Sequence, residues 1–358
     1  LCLRIILNGI VTVRIIEIMF QQPSTKLVVV TGSAGYIGGQ TCIELKKKGY
    51  EVIGIDNRHN EHLDAFQDEY LQCDFTDMEA FSLYKKVYPI AIIHCAGTSL
   101  VGPSMKNPGQ YFHNNVSKTN LLLDFVAKHI PKTKIIFSSS ASVYGEPRNK
   151  TPLRENDKVD PISPYGESKL MVEHLLEWYH RCHNINYTAF RYFNACGADE
   201  DGHHGQEPGA THILAKLFEA VKNKTEFTLN GADYNTPDGT CIRDYIHVQD
   251  IALAHIKAID KSNQGIYNLG MLQGHSNLQI QLLVEKLTNT EIVTFINRRR
   301  EGDPPSLVAD STMFKRIAGW TPNYNMDDIL ESLNKWYNSQ TYDALTKQRS
   351  YSNIHPAL

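Results

Sequence analysis

The sequence lacks the features that mark several common classes of protein. Its seven cysteines are odd in number and none has Cys-x-x-Cys spacing, so we expect no disulfide framework and no metal site. Its 36 basic and 39 acidic residues give a net charge of −3, too little positive charge to bind nucleic acid or an anionic membrane. No apolar run approaches the ~18 residues of a transmembrane helix. We therefore expect a cytoplasmic protein with reduced thiols.

What is present is an ordinary globular composition, with 42% hydrophobic and 21% charged residues among 358. This length suits one large α/β domain and a smaller one. Residues 1–18 are apolar but interrupted by charged residues, and the first methionine is Met19. We expect them to lie upstream of the true start and outside the fold. The alternative is a short added strand or a membrane-surface segment.

Strand and helix patterns alternate through the first half of the chain. Short apolar runs predict strands, and apolar residues at helical spacing predict helices. The strands are expected at 26–31, 51–56, 91–96, 134–138 and 186–193, and the helices at 37–48, 114–128 and 163–180. This alternation predicts the α/β class, with a Rossmann-type doubly wound parallel sheet followed by a smaller C-terminal substrate domain.

The expected domain borders follow from where this alternation stops. A nucleotide-binding domain is expected over 19–195, and polar, glycine-rich stretches follow it. Returning pieces of the same domain are expected at about 241–270, where 243–258 is interpreted as a helix. The substrate domain is assigned to 196–240 and 271–345.

A glycine-rich stretch follows the first strand and opens a helix. Gly32, Gly35 and Gly38 have the spacing G-x-x-G-x-x-G, which permits a tight turn and close approach of a pyrophosphate to a helix N-terminus. Asp56 ends the second strand, where a carboxylate can bind ribose hydroxyls and repel a 2′-phosphate. These features predict NAD as cofactor rather than NADP, although Arg58 lies close to Asp56.

A second sequence pattern contains candidate catalytic residues. Tyr165 and Lys169 form a Tyr-x-x-x-Lys motif, and spacing of four places both on one face of the predicted helix. A nearby ammonium favours the phenolate and makes the tyrosine a general base. Ser138 and Ser140 stand at the end of a predicted strand, where a hydroxyl can bond the same substrate oxygen. This combination predicts an oxidoreductase-type site.

Together these motifs resemble the extended short-chain dehydrogenase/reductase family over roughly residues 26–337. Several stretches are similar to those of its members that epimerise UDP-sugars at C4. They are VTGSAGYIGGQTCIEL, NNV at 114–116, FSSSASVYGEP, SPYGESKLMVE, RYFNACGA, DGTCIRDYIHV and RRREGDPP. The resemblance implies interconversion of UDP-galactose and UDP-glucose with tightly bound NAD, by transient oxidation at C4 and return of hydride to the opposite face.

The resemblance also implies roles for individual residues. Tyr165 is the base, Lys169 holds it and the nicotinamide ribose, and Ser140 bridges to the sugar with help from Ser142. Beyond the glycines and Asp56, the implied cofactor contacts are Tyr36, Ile37, Asn57, Asn60, Asp74, Phe75, Ala96, Gly97, Asn115, Ser138, Tyr165, Lys169 and Phe193. The implied substrate contacts are Ser140, Tyr165, Asn194, His212, Thr228, Asn230, Arg243, Arg300, Asp303 and Leu307.

Some positions depart from the family pattern. Ser99 stands where a lysine often contacts cofactor or substrate. Leu307 is intermediate between the tyrosine that excludes N-acetyl sugars and the small residue that admits them. His203, His204 and His212 are expected in an exposed loop rather than around a metal. By resemblance, a homodimer forms through the helices at 114–128 and 163–180.

Three alternatives stay open. The first is a 4-epimerase of another UDP-sugar, such as a UDP-N-acetylhexosamine or UDP-xylose/arabinose. The second is a dehydratase or decarboxylase of the same fold, but Ala141 and Ser142 stand where those enzymes carry acidic residues. The third is a non-catalytic NAD-sensing module, which typically loses the Tyr-Lys pair.

Overall fold

A computed structural model describes residues 3–7, 10–14, 26–147, 152–260, 262–299 and 303–354. Strands and helices alternate along most of this length. In chain order they are β1 (Leu3–Leu7), β2 (Ile10–Arg14), β3 (Leu27–Thr31), α1 (Tyr36–Lys47), β4 (Glu51–Asp56), β5 (Glu69–Gln72), α2 (Met78–Val87), β6 (Ala91–His94), α3 (Val101–Lys106), α4 (Pro108–Tyr111), α5 (Lys118–His129), β7 (Lys134–Ser140), α6 (Pro164–His183), β8 (Tyr187–Tyr192), β9 (Asn194–Cys196), α7 (Ile213–Asn223), β10 (Phe227–Asn230), β11 (Ile242–His247), α8 (Val248–Ala258), β12 (Gly265–Leu269), β13 (Gly274–Ser276), α9 (Asn277–Thr288), β14 (Thr294–Asn297), β15 (Ser306–Leu307), α10 (Thr312–Ala318), α11 (Met326–Tyr337) and α12 (Gln340–Ile354).

The largest sheet has seven parallel strands in the order β12-β8-β7-β6-β3-β4-β5. From β3 the chain builds β4 and β5 on one side and then returns to β6 on the other. In open parallel sheets, ligands bind at the carboxyl ends of the strands where this reversal occurs. The predicted fold class is confirmed, and the end of β3 at Thr31 places the glycine-rich turn at the reversal.

Both faces of this sheet are covered, which explains why its strands are continuous apolar runs. Along β3, Leu27 and Val29 join one core cluster while Val28 and Val30 join the cluster on the opposite face. Successive side chains of a strand point to opposite faces, so a strand buried on both sides is apolar throughout.

Two helices carry the motifs of the candidate site. Helix α6 begins as predicted, with Ser163 accepting a hydrogen bond from the Gly166 amide at 3.1 Å and Pro164 in the first turn. The predicted helix at 114–128 differs in detail, because a π-helical turn at Phe112–Ser117 precedes α5. Such turns are frequent at functional sites, and this one contains Asn115.

The remaining elements form a smaller layer beside the sheet. Strand β11 lies between β13 and β15 and also pairs with β9, while β10 pairs with β14. A core cluster that includes Phe218, Ile280, Leu333 and Trp336 joins α7, α9 and α11. Strand β12 returns to the central sheet beside β8, and α8 packs on α1.

The prediction of one helix over 243–258 is wrong in its first part. Residues Ile242–His247 form β11, and only Val248–Ala258 is helical. The reason is that β11 is buried between neighbouring strands, where Arg243 and Asp244 find partners that a sequence pattern does not show.

At the other end of the chain, β1 and β2 pair antiparallel in a sheet of their own, with Ile6 opposite Val11. The prediction for residues 1–18 falls partly outside the described residues. Among the helices that the structure describes, none is long and apolar enough to cross a membrane.

Candidate active site

The glycine-rich turn after β3 is shaped by close backbone approaches. Gly32 has φ +75°, and a Cβ there would lie 2.6 Å from the Ala96 nitrogen. A Cβ on Gly38 would lie 2.1 Å from the Gly32 carbonyl oxygen, to which the Gly35 amide donates at 3.1 Å. Side chains at Gly32 and Gly38 would therefore open the turn.

This turn fits a dinucleotide. Helix α1 begins after Gly35 with no side-chain cap, so its first amides can receive a pyrophosphate. The Asp56 carboxylate accepts hydrogen bonds from the amides of Ala34 at 3.1 Å and Arg58 at 2.9 Å. Burial raises the pKa of Asp56, and these two bonds offset part of the effect. The Arg58 guanidinium turns away to Glu207, at 3.3 Å.

Other residues predicted to touch the cofactor lie around this turn and the end of β6. The Asn60 amide donates to the Ala34 carbonyl at 3.2 Å. Asn115 is buried, accepts from the Thr98 amide at 2.8 Å and donates to Ser168 at 2.9 Å. The structure thus brings both asparagines to the same edge of the sheet.

The remaining predicted cofactor residues are placed as follows. Tyr36 and Ile37 open α1, Asn57 is exposed after β4, Phe75 is buried against His94, Ala96 and Gly97 follow β6, and Phe193 is buried after β8. Asp74 is held by Lys118 at 2.5 Å. Burial alone would raise the pKa of Asp74, but hydrogen bonds from Lys118 and Thr76 outweigh it and the pKa is lowered.

The Tyr-x-x-x-Lys pair lies on the first turns of α6, against the end of β7. Lys169 is buried, its Nζ donates to the Ser138 carbonyl at 2.8 Å, and it lies 5.9 Å from the centre of the Tyr165 ring. Ser140 lies close enough to Tyr165 to lower the pKa of its phenol, and the Ser140 Oγ lies 3.2 Å from the Ser142 Oγ. The four predicted catalytic residues are therefore brought together.

The sequence motif predicts a lowered tyrosine pKa when the lysine and a cationic nicotinamide both lie beside the phenol, whereas in the protein alone the pKa of Tyr165 is raised. Burial raises the pKa of Tyr165, the hydrogen bond with Ser140 lowers it, and nearby Tyr111 raises it again. Burial lowers the pKa of Lys169 to about 8, against the opposing effects of Cys95 and Glu173. Phenolate formation in this pocket therefore depends on positive charge, from Lys169 and from whatever binds beside it.

A buried ion pair anchors these catalytic elements. Glu173 lies one turn beyond Lys169 on α6, accepts from Ser139 at 2.5 Å and pairs with Arg191 of β8 at 2.7 Å. The Arg191 guanidinium also donates to the Tyr144 hydroxyl at 3.0 Å. Helix α6 is thus tied to both β7 and β8 directly beneath the catalytic side chains.

The predicted substrate side centres on β11. Arg243 is buried, and its guanidinium pairs with Asp303 and donates to the Ile242 carbonyl at 2.8 Å. In the parallel pairing of β11 with β15, Arg243 lies opposite Leu307. Leu307 also packs on the cluster that contains Val143 and Phe193, so it contacts both β11 and the segment that follows Ser140.

Four further predicted substrate residues lie on separate elements. Asn194 and the exposed His212 line one small cavity together with Tyr245. Thr228 and Asn230 lie on β10, opposite Phe295 and Asn297 of β14. Arg300 lies outside the described residues. Ser99 is exposed after β6.

Several contributing residues escaped the sequence reasoning. Thr98 and Ser168 hold the amide of Asn115, Lys118 holds Asp74, and the Tyr111 ring stands edge-on to Tyr165 at 6.4 Å. The only sequence signal for Ser168 was its place inside the Tyr-x-x-x-Lys motif. The others depend on contacts between distant segments.

The expectation of an exposed loop is wrong for one of the three histidines. His203 and His212 are exposed, but His204 is buried. Its Nε2 contacts the carbonyl oxygen of Tyr36 at 2.9 Å, at the start of α1. The contact with α1, a segment far away in the sequence, buries this histidine.

The chain is similar to known proteins over most of its length. Residues 28–270 match the NAD dependent epimerase/dehydratase family. The UDP-glucose 4-epimerase of Lactobacillus helveticus is 39% identical over 322 residues, covering 87% of this chain and 97% of the relative.

Solved structures are similar over the same length. One is a UDP-glucose-4-epimerase from Stenotrophomonas maltophila with bound NAD and formylated UDP-arabinopyranose, with TM-score 0.83 and 32% identity, covering 90% of this chain and 99% of that one. Another is the UDP-Glc/GlcNAc 4-epimerase from Campylobacter jejuni, with TM-score 0.75 and 33% identity, covering 87% and 99%.

Proposed function

The chain belongs to the NAD-dependent epimerase/dehydratase family, and from this we propose that it is a UDP-glucose 4-epimerase that interconverts UDP-galactose and UDP-glucose. The observation that carries the proposal is the Ser140–Tyr165–Lys169 arrangement, placed beside a turn that fits a dinucleotide. A buried lysine next to a tyrosine serves acid–base catalysis, and a protein that only binds NAD does not require this pair.

NAD is held, in this proposal, by the turn at Gly32–Gly38 and by Asp56. The amides at the start of α1 bind the pyrophosphate, and the Asp56 carboxylate binds the adenosine ribose. A 2′-phosphate is disfavoured because Asp56 would repel it and Arg58 is engaged by Glu207. When bound, NAD accepts hydride from C4 of the sugar and returns it to the other face.

The chain's own residues move the proton that accompanies this hydride. Tyr165 takes the proton of the 4-hydroxyl, and Ser140 bonds the same oxygen and keeps it in line with the phenol. Lys169 stabilises the phenolate by its charge while the Ser138 carbonyl fixes its position. Returning the proton restores the tyrosine, so the residues end each cycle unchanged.

Arg243 is assigned to the diphosphate and Asp303 to the uridine ribose. A guanidinium binds phosphate oxygens through charge-assisted hydrogen bonds, and Arg243 is positioned on a buried strand. Its pairing with Asp303 keeps the guanidinium at the site. The two residues therefore form the charged part of the substrate side.

We further propose a homodimer formed through α5 and α6, in the cytoplasm. Large apolar side chains are exposed on these helices, with Leu121 53%, Met171 38% and Trp178 60% exposed. The cysteines in the described part of the chain are free thiols, as in a reducing compartment. Size-exclusion chromatography with light scattering tests the dimer.

The test of the proposed function is epimerisation without added cofactor. Purified protein should convert UDP-galactose to UDP-glucose with no net formation of NADH, because hydride returns to the same carbon. Chromatography of the nucleotide sugars follows the conversion, and absorbance at 340 nm follows NADH. Stoichiometric NADH, or no conversion, would contradict the proposal.

The size of Leu307 favours a second candidate substrate, a UDP-N-acetylhexosamine. Leu307 lies opposite Arg243, and its side chain is smaller than that of the tyrosine found at this position in relatives that exclude N-acetyl sugars. We expect the wild type to turn over UDP-N-acetylgalactosamine as well as UDP-galactose. Leu307→Tyr should reduce turnover of the acetylated sugar about tenfold relative to UDP-galactose. The larger tyrosine side chain would clash with the acetamido group, and steric differences of this size change specificity only modestly. An unchanged ratio would show that Leu307 does not line the acetamido side.

A further inference from the structure

A segment that follows β9 is bound firmly to α1. The Tyr36 hydroxyl donates to the Gly197 carbonyl at 2.6 Å, and the Gln40 amide donates to Asp199 at 3.1 Å. His204 completes the attachment through the Tyr36 carbonyl at 2.9 Å. We name residues 197–207 the anchored segment.

A glycine with no role in the dinucleotide turn makes room for this segment. A Cβ on Gly39 would lie 2.8 Å from the His204 Nε2 and 2.7 Å from the Leu63 Cδ1. Gly39 therefore lets both the anchored segment and the loop that carries Leu63 approach α1 at the same point.

That loop, residues 57–66, leads from β4 and includes Asn57 and Asn60, both assigned to the cofactor. Two polar contacts join it to the anchored segment. The His62 Nε2 lies 3.1 Å from the His204 Nδ1, and the Arg58 guanidinium lies 3.3 Å from the Glu207 carboxylate. The loop next to the adenosine side is thus joined to a segment that is itself fixed on α1.

The direction of the histidine contact follows from its partners. The Tyr36 carbonyl can only accept, so the His204 Nε2 carries a hydrogen and its Nδ1 is an acceptor. His62 must then donate from its Nε2. Burial lowers the pKa of His204 to about 4, and burial together with His204 lowers the pKa of His62 to about 4. Both rings are neutral near pH 7, and the bond is a neutral hydrogen bond.

We propose that His204 and Glu207 are positioning residues that hold the 57–66 loop against the bound cofactor and slow the release of NAD. This inference rests on the proposed NAD site. An epimerase that returns its own hydride has no need to exchange its cofactor between cycles. Slow release therefore costs such an enzyme nothing in turnover.

The test measures exchange of bound NAD rather than activity. Holoenzyme loaded with NAD is mixed with excess isotope-labelled NAD, and the bound label is followed by filtration. His62→Leu should accelerate exchange about fivefold, as expected for loss of one neutral hydrogen bond. His62→Gln, which keeps a donor, should stay near the wild-type rate. Glu207→Gln should accelerate exchange only about twofold, because its ion pair is exposed.

A matched control is available in the same loop. His59 is bonded to Asp64 at 2.9 Å within the loop itself, so His59→Leu should leave the exchange rate unchanged. Hydrogen exchange of the amides at 57–66 gives a second readout and should rise in His62→Leu but not in His59→Leu. Equal NAD exchange in His62→Leu and wild type would overturn the inference. A wild type that binds no NAD would overturn the proposed function along with it.

Discussion

The cofactor side and the substrate side of the candidate site are built in different ways. On the cofactor side, backbone groups and short-range motifs do most of the positioning, through the turn at Gly32–Gly38 and the first turns of α6. On the substrate side, Arg243 and Asp303 come from chain segments 60 residues apart and are held by each other. The spacing of residues in the sequence is enough to specify the cofactor side. The substrate side is specified only once the short strands around β11 have paired.

The largest expected effect tests the cofactor side. Tyr165→Phe removes the acid–base hydroxyl and leaves the ring against Tyr111, so turnover of UDP-galactose should fall about 10³-fold. Bound NAD should be retained, because the turn at Gly32–Gly38 is untouched. Steady-state rates and the NAD content of the purified variant measure both.

Tyr179→Phe is the matched control on the same helix. Its hydroxyl bonds Asn120 at 3.2 Å, away from the catalytic residues, and its loss should leave turnover unchanged. Near-normal turnover in Tyr165→Phe would assign the chemistry to another group.

A smaller effect is expected on the substrate side. Arg243→Ala removes charge-assisted bonds to the diphosphate, so the Kd for UDP should rise roughly 10- to 100-fold. NAD content should not change, since Arg243 belongs to β11 and not to the nucleotide turn. Calorimetric titration of the NAD-loaded variant with UDP gives the Kd.

Arg243→Lys separates charge from geometry in this prediction. It keeps one positive charge but loses the guanidinium fork, and it should recover only part of the affinity. Loss of NAD together with loss of UDP binding would show that the two sides are not independent.

The last effect concerns stability in acid rather than turnover or binding. Burial lowers the pKa of His94 to about 3 and that of His247 to about 4. Both values lie below the ordinary 6.5, so the unfolded chain binds more protons and stability falls as pH drops below about 6.5. His94→Gln should lower that slope by about 1.4 kcal/mol per pH unit down to about pH 3.

His247→Gln provides the comparison from the substrate side, because the effect of His247 should end near pH 4. Urea unfolding between pH 3 and 7 measures both slopes and the pH at which each one ends. An identical pH dependence in wild type and His94→Gln would mean that the pKa of His94 is not lowered in the folded protein.

Sequence reasoning succeeded where a motif lies within one strand–turn–helix unit. The start of α6 followed from Ser163 and Pro164, and its spacing placed Tyr165 and Lys169 together. The glycine turn and Asp56 followed from the same kind of local pattern. Physical rules for caps, turns and helix faces act over a few residues, which is why they were sufficient here.

Sequence reasoning failed where contacts between distant segments determine the secondary structure or burial of a residue. Strand β11 was predicted as helix because Arg243 and Asp244 look exposed until their partners Asp303, Met271 and Ala309 are known. The burial of His204 depends on α1. No sequence rule predicts the π-helical turn that contains Asn115 as reliably as Ser163 and Pro164 predict the start of α6.

One consequence of helix α6 concerns changes in chain length. Tyr165, Lys169 and Glu173 stand at four-residue intervals and serve acid–base chemistry, charge and anchoring from one face. One inserted or deleted residue between two of them would rotate everything beyond it by about 100° and take the residues beyond it off the common face. This short stretch is therefore fixed in length, whereas the last turn of α6, where Arg181 and His183 are exposed, is free to grow or shrink.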